Sequence, residues 1–384
     1  MNITSHHYIL LLFRIILFII TFLNANYISH SSKKISWVSF LPTIIIFTLY
    51  SGLRWGRGTD YNIYYWVYND INKGISREDN EPLFELLVKF SGSLGLEWQH
   101  FVAFMSFFLI FAGCYFLKKN NKTLSFSLPF FVLGVGLAEN LMRWYLGFSF
   151  ILIGLYYLLE NKQKWFLILS ALGFFVHYGL IIVIIVLYLV WAIFKKPICT
   201  PLIAFSLYLA LFFLFDPQFM GNFTDIIQQI NLGTRFLSYQ NNAEAWLTGE
   251  ANDDVRTQLS ISNIITTAFL IYAGYIYYRK NKTHDIACMY NWALLGWVLR
   301  PAATQIEIAM RIHAPFFLLG HIYTAYLCYD ILIKRKNQYN SLLRNITTLF
   351  FIYTLYSYIF KYVFNLEEFN TFFIWDSAGR KILP

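Results

Sequence analysis

The chain has 384 residues, of which 58% are hydrophobic and 13% charged, and its mean hydropathy is +0.50. Soluble domains carry roughly 25% charged residues, so the composition excludes an ordinary water-soluble protein. The net charge of +9 does not point to nucleic acid, because the basic residues fall in short turns between apolar runs.

Those runs recur from end to end, most of them about 17–21 residues and long enough to cross a bilayer. About twelve spans are predicted, at 8–26, 35–53, 100–117, 124–140, 141–159, 164–178, 179–194, 199–216, 259–278, 286–302, 313–333 and 345–363. No small-residue cleavage site follows the first run, which reads as a retained span. The span at 164–178 is short, and a re-entrant pair is the alternative there. The expected fold is all-α, a single polytopic membrane domain over 1–384 with two long outer segments, 54–99 and 217–258. The basic turns are Lys33–Lys34, Lys118–Lys119–Lys122, Lys162–Lys164, Lys195–Lys196, Arg279–Lys280–Lys282 and Lys334–Arg335–Lys336 with Arg344. Simple alternation of the spans puts all of them on one side, with only Glu160, Asp285 and Asp330 as acids there. The positive-inside rule makes that side the cytoplasm and places both termini outside.

Several polar residues then share the opposite face. After the second span comes Arg54–Trp55–Gly56–Arg57–Gly58–Thr59–Asp60–Tyr61. Arg54 and Arg57 would share a face if the helix continued past Gly52, but Gly56 and Gly58 predict fraying. A Gly-rich turn with two guanidiniums can close on phosphate oxygens, since the planar fork binds them bidentately; flanking interfacial arginines are the plainer reading. Asp60 orients these arginines or acts as a base. Tyr61, Tyr64, Tyr65 and Tyr68 follow at the spacing of an aromatic belt, with sugar stacking as the alternative.

Two E-x-x-M-R steps sit in apolar sequence, Glu139–Met142–Arg143 and Glu307–Met310–Arg311. A charge at membrane depth costs at least ~2.5–3.5 kcal/mol, so it is retained where it is paired or functional. In each step the acid and the arginine are one helical turn apart and can pair. His177 ends an apolar run on the same side; it is an interfacial hydrogen-bonder or, with its near-neutral pKa, an acceptor base. Arg300–Pro301 closes another span. Cys114, Cys199, Cys288 and Cys328 fall near cytoplasmic ends with no C-x-x-C spacing and read as packing residues. No zinc spacing, P-loop, Rossmann fingerprint or nucleophile elbow occurs, so neither a metal nor a cofactor is predicted.

The segment Gly52–Leu53–Arg54 through Gly58–Thr59–Asp60–Tyr61–Asn62–Ile63–Tyr64 resembles the opening of the EpsG/Wzy-type polysaccharide polymerases. The Glu81–Pro82–Leu83–Phe84 step, Glu139 to Arg143, Leu158 to Lys162, Ala171 to His177 and the late Arg311 follow in that family's order, over roughly 50–315. Two departures stand out: Arg143 precedes Trp144 and Tyr145 rather than Gln or a small residue, and 217–258 matches nothing. The resemblance implies a GT-C-like, metal-independent membrane glycosyltransferase in the bacterial cytoplasmic membrane, its active site facing the periplasm or exterior. It would transfer the growing glycan from undecaprenyl diphosphate onto another lipid-linked repeat. Membrane lipid, a chain-length regulator and a flippase are its implied partners, and nucleic acid is not. In such an enzyme Arg143 and Arg311, helped by Arg54 and Arg57, would hold the diphosphate. His177 would be the base, with Asp60 or Glu139 as alternatives, and Glu307 and Arg300 would support. A flippase of lipid-linked oligosaccharide, or a ligase to another acceptor, are the competing expectations; no internal repeat of the transporter kind is visible.

Overall fold

The computed structural model describes residues 4–31, 35–58, 60–75, 81–218, 260–366 and 371–377. The described chain is helical: α1 (Ser5–His30), α2 (Leu41–Gly52), α3 (Tyr61–Asn72), α4 (Pro82–Ser93), α5 (Trp98–Leu117), α6 (Leu124–Gly134) and α7 (Met142–Leu159) come first. They are followed by α8 (Gln163–Val176), α9 (Leu180–Ile193), α10 (Pro201–Leu214), α11 (Ile261–Lys280), α12 (His284–Val298), α13 (Glu307–Tyr329) and α14 (Ser341–Tyr356). Each predicted span overlaps a described helix. Five described stretches are long and apolar enough to cross a membrane: Ser5–His30, Trp98–Gly134, Met142–Leu159, Glu307–Lys334 and Ser341–Phe364. Trp37–Gly52, α8, α9 and α10 are apolar but shorter. α8, at 14 residues, is ~21 Å long, so the shortness expected there is present. The chain is a multi-pass membrane protein on this ground. Lys33–Lys34 and all but the start of 217–258 lie outside the described residues.

The chain forms two compact units, Met1–Arg77 with Glu81–Leu180 and Cys328–Pro384, and Ile181–Leu327. In the first, α7 packs between α5 and α8. Helices in lipid gain little from hydrophobic exclusion and rely on close van der Waals approach. At the α7–α8 crossing this is achieved with glycine: a Cβ on Gly147 would stand 2.8 Å from the Gly173 carbonyl oxygen, and one on Gly173 2.6 Å from that of Gly147. Gly147→Val is therefore expected to cost ~1–3 kcal/mol by overpacking, read as a fall in apparent melting temperature in detergent; an unchanged value would refute the tight crossing. The turn into α8 uses Asn161 in the left-handed region (φ 58), which brings the Lys162 amide to the Tyr157 carbonyl at 2.8 Å.

In the second unit two helices start on side-chain caps. The Thr200 hydroxyl accepts from the Ile203 amide with Pro201 in the first turn of α10, and Thr283 accepts from Ile286 at α12. All four cysteines are free thiols; Cys114, Cys288 and Cys328 are buried and Cys199 half-buried, as packing residues should be.

Two expectations are corrected here. Glu139 and Arg143 do not pair across a helical turn: a 3-10 turn, Val135–Glu139, ends before Leu141 leaves helical geometry (φ −92°, ψ 52°) and α7 begins at Met142. The break turns the two side chains to different partners. Nor do the α3 tyrosines form a belt. Tyr61 and Tyr68 are buried with Phe84, Val88, Trp98 and Phe101, Tyr61 edge-on to Trp98 at 5.6 Å. α3 lies against α4 and α5, so its aromatic stripe is core.

Candidate functional site

The first unit gathers the predicted residues into two clusters. The first surrounds the turn after α2. That helix ends at Gly52, whose position a Cβ would bring to 2.9 Å from the Ala103 side chain. Residues 54–58 then leave helical geometry, with Gly56 at φ 63° and Gly58 at φ 110°, as predicted from the glycines. Gly58 is also pressed against the chain at Glu139, whose carbonyl oxygen a Cβ would meet at 2.5 Å. Gln99 Nε2 donates to the Gly52 and Arg54 carbonyls, at 2.9 Å to Arg54, and the Tyr61 hydroxyl donates to Gln99 Oε1 at 3.0 Å. An antiparallel bridge pairs Arg54 with Phe373. In it the Trp55 amide donates to the Phe372 carbonyl at 3.1 Å and the Ile374 amide to that of Leu53 at 2.8 Å.

Inside this turn Arg57 is 1% exposed. Its Nε stands 2.9 Å from Glu139 Oε2, its Nη2 donates to the Tyr50 carbonyl at 3.4 Å, and the rings of Tyr50 and Phe373 lie 4.9 and 5.3 Å away. Glu139 Oε2 also accepts from the Tyr362 hydroxyl at 3.2 Å. Arg14, buried in α1, sits 3.9 Å over the Tyr362 ring and donates to the Tyr50 hydroxyl at 3.0 Å. Burial opposes the Arg57 charge, but Glu139 outweighs it and leaves the guanidinium above its usual value. Arg54 differs. It is 2% exposed, and its Nε and Nη1 are buried without a hydrogen-bond partner among the described residues. Burial lowers its pKa, which Glu139 opposes and the neighbouring Arg57 charge reinforces. Asp60 immediately precedes α3; the carboxylate that holds Arg57 is Glu139.

The second cluster forms where α4, α7 and α8 meet. Glu81 precedes Pro82 at the start of α4 in an extended conformation and is 4% exposed. Its Oε1 bonds to His177 Nδ1 at 2.6 Å, and its Oε2 stands 2.6 Å from Arg143 Nη1. His177 ends α8 with extended geometry (φ −155°, ψ 110°) and lies edge-on to the Trp144 ring at 5.0 Å. Arg143 is in the first turn of α7, where the helix dipole makes an added cation unfavourable without a counter-charge. Glu81 supplies it. The rings of Phe84 and Tyr64 lie 5.4 and 5.9 Å from the guanidinium. The clusters share two elements: residues 139–143 give Glu139 to one and Arg143 to the other, and α3 gives Tyr61 to one and Tyr64 to the other.

Burial works against the Glu81 charge, but the bond to His177 and the charge of Arg143 hold its carboxyl below the usual range. A depressed folded-state pKa contributes stability above the ordinary glutamate value, ~4.3, and loses it as pH falls through the lower folded value. The difference in apparent melting temperature between wild type and Glu81→Gln is therefore expected to be full at neutral pH and to close below pH ~4. A gap that widened on acidification would contradict this.

The remaining predicted residues belong to the second unit. Glu307 and Arg311 form the expected ion pair across one turn of α13, a helix that starts six residues before the predicted span. Arg300 opens the short turn Arg300–Ala303, its guanidinium 5.4 Å from the Phe317 ring. Phe317 lies between His313 (5.0 Å, tilted) and His321 (4.4 Å, edge-on), and His313 Nε2 donates to the Gly296 carbonyl at 2.7 Å. Among the described residues no three His, Cys, Asp or Glu side chains gather as a metal site requires. Sequence reasoning missed Glu81, Tyr362 and Gln99 as site residues. Glu81 carried one signal, the Glu-Pro step before an amphipathic helix; Tyr362 and Gln99 carried none.

Arginines buried at the ends of apolar helices, one held by a carboxylate and one without an ion pair among the described residues, together with a carboxylate-held histidine, mark the first unit of this multi-pass membrane protein. The chain belongs to the EpsG family, whose model matches residues 37–374; the family is associated with exopolysaccharide biosynthesis. Both clusters except Arg14 fall within the match. No curated protein and no solved structure matches the chain.

Proposed function

We propose that the protein is a polymerase of undecaprenyl-diphosphate-linked oligosaccharide repeat units, a twelve-span GT-C-like glycosyltransferase working on the outer face of a bacterial cytoplasmic membrane. The observation that carries this reading is the Glu81 carboxylate held 2.6 Å from both His177 Nδ1 and Arg143 Nη1. A neutral His177 that donates Nδ1–H to Glu81 carries its lone pair on Nε2, the form a general base needs. The same carboxylate fixes a guanidinium, at the positive end of α7, where negative charge develops.

In the proposed reaction the acceptor hydroxyl oxygen attacks the anomeric carbon of the growing glycan. The bond from that carbon to the phosphate oxygen breaks, its electron pair leaves on the diphosphate beside Arg143, and the acceptor proton passes to His177 Nε2. Arginine fits this role because its fork meets phosphate oxygens in pairs and stays charged at any working pH. A flippase supplying repeats and a chain-length regulator are the partners such an enzyme requires.

The test is reconstitution of the purified protein in liposomes with the native lipid-linked repeat and neither nucleotide sugar nor added metal, read as a glycan ladder. A ladder is the expected result. Intact monomeric repeat would overturn the polymerase and favour a flippase of the same substrate.

A further inference from the structure

Three guanidiniums, Arg14, Arg54 and Arg57, are buried in the first unit around the single carboxylate of Glu139. That carboxylate is already committed. Its Oε2 takes Arg57 Nε at 2.9 Å and the Tyr362 hydroxyl at 3.2 Å. Arg57 is closed in on the remaining sides by the Tyr50 carbonyl and the rings of Tyr50 and Phe373. Its Nη1 is buried without a hydrogen-bond partner among the described residues, but its charge is already met by the ion pair with Glu139. Arg14 rests on the Tyr362 ring and the Tyr50 hydroxyl.

Arg54 alone of the three carries neither an ion pair nor a side-chain hydrogen bond among the described residues. Two of its nitrogens are buried and unpartnered, and its nearest aromatic face, Tyr61, is 5.9 Å off. Removing a charge from water without a partner is among the most costly arrangements in a protein. Yet the backbone that carries it is unusually well secured, by Gln99 on one side and the Phe373 bridge on the other. A rigid mount for a guanidinium with no direct ion pair is what a preformed anion site requires.

We infer that Arg54 is the anchoring contact for a phosphate of the lipid carrier, and that Arg57, Glu139, Tyr362 and Phe373 are positioning residues that hold its loop. The inference rests on the polyprenyl-diphosphate substrate proposed above. It also changes the expected role of Arg57, from ligand to internal brace.

The experiment measures binding, without turnover, to the full-length protein in detergent. The probes are undecaprenyl diphosphate and undecaprenol, and the readout is the ratio of their dissociation constants. Arg54→Gln is expected to reduce the preference for the diphosphate by about 30-fold or more, the loss of a charge-assisted, bidentate contact. Arg54→Lys, which keeps the charge and serves if the glutamine variant does not fold, is expected to lose about tenfold. Arg57→Lys, still able to pair with Glu139, is expected to leave the preference within about threefold even where it lowers the melting temperature. A merely structural Arg54 would shift stability and leave the ratio unchanged, and that outcome overturns the inference; so does an Arg57→Lys loss equal to that of Arg54→Lys. An Arg54-dependent ratio without a glycan ladder defeats the polymerase and keeps the anchor. A ladder with an Arg54-independent ratio does the reverse.

Discussion

Glu81→Gln is expected to slow ladder growth by about 10²–10⁴-fold at saturating substrate, the range for losing a properly oriented general base. The glutamine is nearly isosteric, so the fold at the start of α4 should survive. The electrostatics change completely. One carboxylate oxygen bonds to His177 Nδ1 and the other is ion-paired with Arg143 Nη1, each at 2.6 Å. A glutamine has one accepting oxygen and an NH₂ group. If the NH₂ faces the imidazole it donates to Nδ1 and drives the ring proton onto Nε2, the wrong tautomer for taking a proton from an acceptor. If the oxygen faces the imidazole, the NH₂ faces Arg143, a donor against a donor. Either rotamer disables one of the two residues. The initial rate of ladder growth decides it, and a rate within about threefold of wild type would remove His177 from proton transfer.

Under the proposed reaction, Arg143→Ala is expected to cost about 10²–10³-fold in the same assay, with the loss mainly in kcat, because the leaving-group charge it would oppose is greatest in the transition state. Arg143→Lys separates geometry from charge. A lysine at this position keeps the positive charge but not the planar fork, and its strongly hydrated ammonium must still reach Glu81. It is expected to recover only part of the lost rate, by roughly tenfold over alanine. Full activity in Arg143→Lys would refute a bidentate contact with the diphosphate. Removal of the arginine also leaves Glu81 buried beside His177 alone, so apparent melting temperatures are needed with the rates. A variant that melts normally and polymerises slowly places the defect in the chemistry.

Much of this chain was legible in one dimension. The apolar runs located the membrane-type helices but not α3 and α4, which lie within the predicted outer segment 54–99, because a segment in lipid must satisfy its own backbone and so must be a helix wherever it is continuously apolar. Gly56 and Gly58 announced the non-helical turn that carries Arg54 and Arg57, since positive φ is a local property of the residue. Glu307 and Arg311 paired as expected because one unbroken helix turn joins them.

The partners of the other charges were decided only by packing. The Glu139 and Arg143 step has the same spacing as its twin in α13, yet the helix breaks at Leu141 and a loop from residue 58 presses against the break. Glu139 therefore meets Arg57, and Arg143 meets a glutamate 62 positions upstream. His177 looked solitary because its carboxylate lies 96 residues away and reaches it only through the contacts of α8 with α4 and α7. Tyr61 and Tyr68 read as a belt because a buried aromatic stripe and an interfacial one have the same period. By itself the sequence determined the helices, the turn and the family motif, which depend on neighbours along the chain. Which guanidinium is sealed and which is bare was decided by tertiary structure, because a buried charge takes its partner from whatever surface folds against it.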